Sequence, residues 1–245
     1  MKRGAFVSIA ACALFAAGFA SADSSPAPTA SATPPAPVAA SKKQKVTVAA
    51  MGDSLTDAKS HGGGYIDYLK KKCPKSRFDN YGKGGQMVNQ MRKRFAADVL
   101  GEGVPDKPAY THVIVFGGVN DLYSDDTAGR TPEKIESDLL RMYKAAKGKG
   151  MKVVALTIAP WGGFTKYFTD HRKKTTGQLN KWISDQVTAK NVDYVVDAFS
   201  LLSCGDANKL CPKYAEPFKD GLHFGAGGHE VLGKALFDKV FSDCE

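Results

Sequence analysis

No two cysteines of this chain are spaced Cys-x-x-Cys, and none of its five cysteines stands at metal-ligand spacing from its five histidines. No zinc site is expected on that ground, and no other metal or cofactor is expected either. Aromatic side chains are 10% of the residues and do not interleave with the basic clusters, so the pattern of a nucleic-acid binder is absent. Gly-x-Ser-x-Gly does not occur at Ser54, and Gly82-Lys83-Gly84-Gly85 lacks the Lys-Ser/Thr ending of a phosphate-binding loop. The N-terminal apolar run, Ala5 to Phe19, is too short to span a bilayer.

That run follows Met1-Lys2-Arg3 and precedes Ala20-Ser21-Ala22, the layout of a secretory signal peptide over residues 1–22. Ile9-Ala10-Ala11-Cys12 offers a lipoprotein alternative, although the apolar stretch continues well beyond Cys12. Residues 23–45 are dominated by Ala, Pro, Ser and Thr and hold five of the twelve prolines, so they cannot bury a core. They read as a disordered linker, either a tether or a processing remnant. The folded domain is expected over residues 46–245. Export leaves Cys73, Cys204, Cys211 and Cys244, an even number in an oxidising compartment, so two disulfides and a secreted or periplasmic location are expected. The net charge of +9 falls to +7 once Lys2 and Arg3 are removed. Basic clusters at Lys70-Lys71-Lys72, Arg92-Lys93-Arg94 and Arg172-Lys173-Lys174 read as solvated helix faces or as a surface for an anionic cell-wall or extracellular polymer.

From residue 46 onward, apolar β-branched runs alternate with amphipathic stretches. Strands are expected over 46–51, 77–81, 111–117, 151–159 and 192–197; such near-continuous apolar segments suit a sheet covered on both faces. Helical spacing joins Val88, Met91 and Phe95, then Ile135, Leu139 and Met142, then Leu179, Trp182 and Ile183. A last helix carries Val231, Leu232, Ala235, Leu236 and Val240. Thr131-Pro132-Glu133 has the cap, the first-turn proline and the acid of a helix start. The alternation predicts an α/β fold: a single three-layer αβα domain around a five-stranded parallel sheet, in the flavodoxin-like order 2-1-3-4-5. Ligands of such sheets bind beyond the carboxyl ends of the strands.

Four segments converge on that rim. Met51-Gly52-Asp53-Ser54-Leu55-Thr56-Asp57 follows the first strand and Asn80-Tyr81-Gly82-Lys83-Gly84-Gly85 the second, with Gly118-Val119-Asn120-Asp121 after the third and Asp220-Gly221-Leu222-His223 after the last. They supply a serine, an imidazole base, a carboxylate close enough to orient it on one local turn, and donors for an oxyanion. Taken singly, Ser54 could be a helix cap, Asp220 a turn former and His223 a polar loop residue. Together, and in this order, the blocks resemble the SGNH, or GDSL, hydrolase superfamily over about residues 46–245. The resemblance implies the flavodoxin-like SGNH hydrolase fold and a serine esterase mechanism with Ser54, Asp220 and His223 as catalytic triad. It also implies an oxyanion hole made by the backbone N–H groups of Ser54 and Gly85 and the side-chain amide of Asn120. Gly85 is taken over Gly84 because its spacing from Asn80 resembles the family's second block. Asp53, Asp57 and Asp121 are expected to brace the surrounding loops.

The family accepts acyl lipids, aryl esters, thioesters and O-acetylated sugars, so fold alone does not choose the substrate. An O-acetylated polysaccharide is the expected ester. The alternatives are a lysophospholipase, an arylesterase or an acyltransferase and, from another class, a non-catalytic carbohydrate-binding module. Residues 160–170 carry Trp161, Phe164, Tyr167 and Phe168; they either wall the substrate site, with Trp161 and Phe164 in contact, or pack beneath the loop. His61, before Gly62-Gly63-Gly64, is a further candidate for the cleft, and His229 in the last helix is expected at the surface. No long apolar lid is visible, which argues against a lipase at a lipid interface. In a flavodoxin-like sheet the first and last helices lie side by side and end opposite the catalytic rim. Cys73 is therefore expected to pair with Cys244, leaving Cys204 with Cys211.

Overall fold

The computed structural model describes residues 43–245. The expected signal peptide, Cys12 and most of the expected linker lie outside the described residues. In chain order the elements are β1 (Thr47–Gly52), α1 (Gly64–Lys72), β2 (Arg77–Gly82), α2 (Val88–Asp98), β3 (His112–Phe116), α3 (Val119–Tyr123), α4 (Asp125–Ala128) and α5 (Pro132–Gly148). They continue as β4 (Lys152–Leu156), α6 (Asp170–Asp185), β5 (Tyr194–Val196), α7 (Ala198–Leu202), β6 (Ser203–Cys204), β7 (Asp206–Leu210), α8 (Pro212–Ala215) and α9 (Ala226–Leu236). One five-stranded parallel sheet has the order β2-β1-β3-β4-β5, as the alternation predicts.

Alternate residues of each strand feed two cores. Ala49, Met51, Val113, Val115, Val153 and Ala155 face α2, α5 and α6, whereas Val48, Ala50, Ile114, Phe116, Val154 and Leu156 face α1, α7 and α9. Thr131 caps α5 by accepting from the Lys134 N–H, Pro132 opens its first turn, and Ile135, Leu139 and Met142 fill the core face. Each of those side chains contributes roughly 1.5–3 kcal/mol by leaving water.

Two strands are shorter than their apolar runs, for side-chain reasons. Asn180 on α6 accepts from Ile158 N at 2.7 Å and donates back to Ile158 O at 3.3 Å, which takes that backbone out of the sheet after Leu156. Asp193 accepts from Val153 N at 2.8 Å through its side chain, so β5 starts only at Tyr194. A small antiparallel hairpin, β6 with β7, was not expected, because Asp206–Leu210 is mostly exposed and polar.

Both disulfides pair as the topology argument predicts. Cys73, at the end of α1, joins Cys244, and Cys204 joins Cys211 across the hairpin. Beside the first bridge, Gln44 N donates to Asp243 O at 2.8 Å and Glu245 N to Gln44 O at 2.9 Å, so Gln44, slightly before residue 46, also packs onto the domain. No helix among the described residues is long and apolar enough to cross a membrane. Two disulfides suit an oxidising compartment outside the cytosol.

Candidate active site

Beyond β1 the chain turns sharply: Asp53 O accepts from Thr56 N at 3.1 Å and Asp57 N at 2.9 Å, and Asp53 Oδ1 accepts from Leu55 N at 3.0 Å. Ser54 is left at the carboxyl rim with 8% of its surface exposed. Asn80 holds the neighbouring loop against this turn, donating to Thr56 O at 2.7 Å and accepting from Gly82 N at 2.8 Å. Only glycine fits at Gly82, where a Cβ would stand 2.2 Å from Asp57 N.

On the opposite wall, Asp220 Oδ1 accepts from Leu222 N and His223 N, each at 2.9 Å, while Oδ2 meets His223 Nδ1 at 2.6 Å. His223 Nε2 lies 2.9 Å from Ser54 Oγ. A carboxylate at Nδ1 keeps the proton on that nitrogen, which leaves Nε2 free to accept the serine hydroxyl. Burial acts to raise the Asp220 carboxyl, but hydrogen bonds from the His223 ring and from the His223 and Leu222 N–H groups outweigh it and hold the group below its ordinary value. Gly221 lets this turn seat directly on residue 163: its φ is +74°, and a Cβ there would be 2.1 Å from Gly163 C.

Donors face the same point. Gly84 N is already given to Asp57 Oδ2 at 3.0 Å, whereas Gly85, exposed and at φ +72°, has no acceptor for its N–H among the described residues. That difference favours Gly85 over Gly84 on physical grounds. Asn120, in the first turn of α3, donates one amide hydrogen to Gln86 O at 3.0 Å, which leaves the other free. Ser54, Gly85, Asn120 and His223 line a cleft of about 410 Å³ together with Ser60, Gly84, Phe218 and Leu222.

The aspartates brace the site. Asp57 takes Lys59 N, Ser60 Oγ and Gly84 N, and Asp121 takes Val88 N at 2.8 Å and Arg130 Nε at 2.7 Å. Asp53 is fully buried, and its Oδ2 has no partner among the described residues. Burial pushes its carboxyl up to about 7; the Asp121 charge adds to the rise, and the Leu55 N–H and His223 oppose it. Because the folded pKa lies above the unfolded one, this group's contribution to stability is full below pH 3.8 and is lost as the pH rises through about 7. Asp53→Asn removes the titration. Between about pH 5 and pH 8 the melting temperature of wild type should therefore fall more than that of the variant; parallel curves would contradict a raised carboxyl.

Several side chains depart from expectation. Trp161 does not wall the cleft: it is fully buried, donates Nε1 to Thr176 Oγ1 at 3.0 Å and meets Phe168 edge-on. Phe164 is half-buried against Tyr123 and Tyr167 and lies outside the cleft lining. His61 is exposed and also outside the lining; Phe218 stands between it and His223, with ring centroids 6.0 Å from each. His229 is buried rather than at the surface, packed on Tyr65 and Phe224, and burial lowers its pKa to about 4.

Phe218 and Ser60 were not singled out in the sequence, Leu222 entered only within the Asp220–His223 segment, and Arg94 only within a basic cluster. Its guanidinium donates to Tyr81 O at 2.7 Å, Gly52 O at 3.1 Å and Gln86 Oε1 at 2.7 Å, tying the ends of β1 and β2 together. Its spacing from Met91, one turn back on the core face of α2, is the signal that could have separated it from Arg92 and Lys93.

Fold and site together define an ester hydrolase of the α/β class. Residues 50–231 match the GDSL-like lipase/acylhydrolase family, and the chain belongs to it; it is a carboxylic ester hydrolase. No curated protein sequence matches the chain. Among solved structures it is similar to a GDSL-like lipase from Bacteroides thetaiotaomicron, with 22% identity over 78% of this chain and 86% of that one and a TM-score of 0.64. It is also similar to the lipase/acylhydrolase from Enterococcus faecalis, with 20% identity over 82% and 97% and a TM-score of 0.65. A catalytic mutant of an acetylxylan esterase from Geobacillus stearothermophilus is similar at 17% identity over 82% and 96%, with a TM-score of 0.62. At these identities the likeness speaks to fold alone.

Proposed function

We propose that the chain is an exported serine esterase that removes small acyl groups, acetyl above all, from polysaccharide hydroxyls. The observation that carries the mechanism is the unbroken line from Ser54 Oγ to His223 at 2.9 Å and from His223 to Asp220 at 2.6 Å, beside uncommitted N–H donors. Ser54 Oγ attacks the ester carbonyl carbon while His223 Nε2 takes its proton and Asp220 stabilises the imidazolium. The carbonyl oxygen becomes an oxyanion held by Ser54 N–H, Gly85 N–H and Asn120 Nδ2. Collapse expels the alcohol, protonated by His223, and leaves an acyl-serine. Water, deprotonated by His223, then releases the acid; an acceptor hydroxyl in its place would give transfer instead.

Asn120→Ala should lower kcat by roughly 10² to 10³ with little change in KM, because its free amide hydrogen meets charge that exists only near the transition state. A change confined to KM would assign Asn120 to ground-state binding.

The preference for a small acyl group is supported by the cleft. Its apolar side chains are Phe218 and Leu222, against Ser60, Gly84, Gly85 and Asn120, which is little surface for a long acyl chain. One of the structures to which the chain is similar is described as an acetylxylan esterase. The test is a p-nitrophenyl ester series from acetyl to long chains, run beside acetate release from acetylated glycans. Activity should be highest on acetyl and should fall with length; a maximum at long chains would support the lysophospholipase reading. Phe218→Ala should flatten that fall while sparing the acetyl ester. Export through residues 1–22 is part of the proposal, supported by two disulfides in the folded domain.

A further inference from the structure

Of the three basic clusters in the sequence, the one on α2 forms part of a groove. Arg92 and Lys93 on α2 face Lys134 and Arg141 on α5, with Arg130 between them, across a depression of about 440 Å³. That volume is within the usual range of ligand sites. The charges are not equivalent. Arg92 Nε donates to Asp138 Oδ1 at 2.6 Å, and Arg130 donates to Asp138 Oδ2 at 2.8 Å and Asp121 Oδ1 at 2.7 Å, so these four groups neutralise one another. Lys93, Lys134 and Arg141 have no ion-pair partner among the described residues, and Glu133 is the remaining carboxylate of the lining. The groove thus presents an excess of free positive charge. The other two clusters differ: Arg172 is occupied by Asp125 at 2.6 Å, Lys70 pairs with Asp67 at 3.4 Å, and Lys71 and Lys72 line a depression together with Asp67 and, from α9, Glu230.

Its position ties it to the active site. Asp121 follows Asn120 in the chain and bonds both Val88 N, at the start of α2, and Arg130, in the groove floor. Through Asp121, the groove's Arg130 is thus linked to the start of α2 and to the residue that follows Asn120. Asn89, in the first turn of α2, also lines the groove, although its Oδ1 is buried and has no partner among the described residues.

We infer that the α2–α5 groove binds the carboxylate-bearing stretch of an acidic polysaccharide whose O-acyl group is in the cleft. This rests on the polysaccharide-esterase reading and narrows it to acidic glycans. A sugar chain with carboxylates matches the unpaired Lys93 and Arg141, and its hydroxyls match the carboxylate of Glu133. A nucleic acid fits less well, because the lining has no aromatic side chain on which a base could stack and Glu133 would oppose dense phosphates.

The test uses Ser54→Ala, which binds without turnover, and polygalacturonate, which needs no ester. By calorimetry, affinity should fall at least tenfold between about 50 and 200 mM salt. Adding Lys93→Glu and Arg141→Glu, both exposed, should weaken it at least tenfold while leaving the melting temperature and the binding of neutral xylan unchanged. In the Ser54 enzyme the same two substitutions should raise KM on an acetylated polyuronate and leave p-nitrophenyl acetate hydrolysis as it was. Unchanged polygalacturonate affinity after charge reversal, an equal loss for xylan, or tighter binding of a duplex oligonucleotide would each overturn the inference. Absence of p-nitrophenyl acetate hydrolysis by wild type would instead sink the esterase reading, and the binding result would be unaffected.

Discussion

Ser54→Ala and His223→Ala should each lower kcat by on the order of 10⁴ or more, and combining them should cost little beyond either alone. The non-additivity follows from the geometry. Without His223 the Ser54 hydroxyl at 2.9 Å has no base, and without Ser54 the imidazole has nothing to activate. Neither change should unfold the protein, since Ser54→Ala removes one oxygen at the rim and His223 is partly exposed. Circular dichroism and melting temperature should therefore stay near wild type while ester turnover disappears. Retention of more than a tenth of wild-type activity by Ser54→Ala, in protein free of contaminating hydrolase, would contradict the mechanism.

The largest expected loss of stability comes from the bridge between Cys73 and Cys244. It closes 171 residues of sequence separation, against 7 for Cys204 and Cys211. In the chain-entropy model such a loop is worth about 5 kcal/mol and the short one about 2 kcal/mol. Replacing Cys73 and Cys244 with serine should thus destabilise the domain by roughly 2–5 kcal/mol, or on the order of 5–15 °C in melting temperature. Both cysteines are buried, at 0% and 4% exposure, so the serine hydroxyls add a desolvation cost. Replacing Cys204 and Cys211 should cost less. Denaturant titration of both double variants checks the ranking; an equal or reversed order would show that the loop-length argument fails here.

Sheet order and the gathering of the candidate site residues at one rim were legible because they depend on local pattern. Apolar β-branched runs mark buried strands wherever they occur, and the Asp220–His223 turn is contained within four residues. The choice between Gly84 and Gly85 was not local, since it turns on whether Asp57, in a different loop, consumes the N–H. Aromatic loops are ambiguous for another reason. Trp161 in a rim segment has the same composition whether it lines a cleft or packs beneath it, and its bond to Thr176 on α6 is what decides. His229 was misjudged because the polar tip of a histidine hides how readily its ring stacks in a core, here between Tyr65 and Phe224. Phe218 and Leu222 flank the Asp220 turn, and only its folding onto the rim brings them into the cleft.

Covalent labelling tests the central claim most directly. A fluorophosphonate reacts with a serine only when a base activates it and donors receive the developing charge. Intact-mass measurement of labelled wild type should give one adduct, peptide mapping should assign it to Ser54, and p-nitrophenyl acetate should compete with it. Labelling should be absent in Ser54→Ala and strongly slowed in His223→Ala. An adduct on Ser60, the other serine of the cleft, or full esterase activity in protein that takes no label, would contradict Ser54 as the nucleophile.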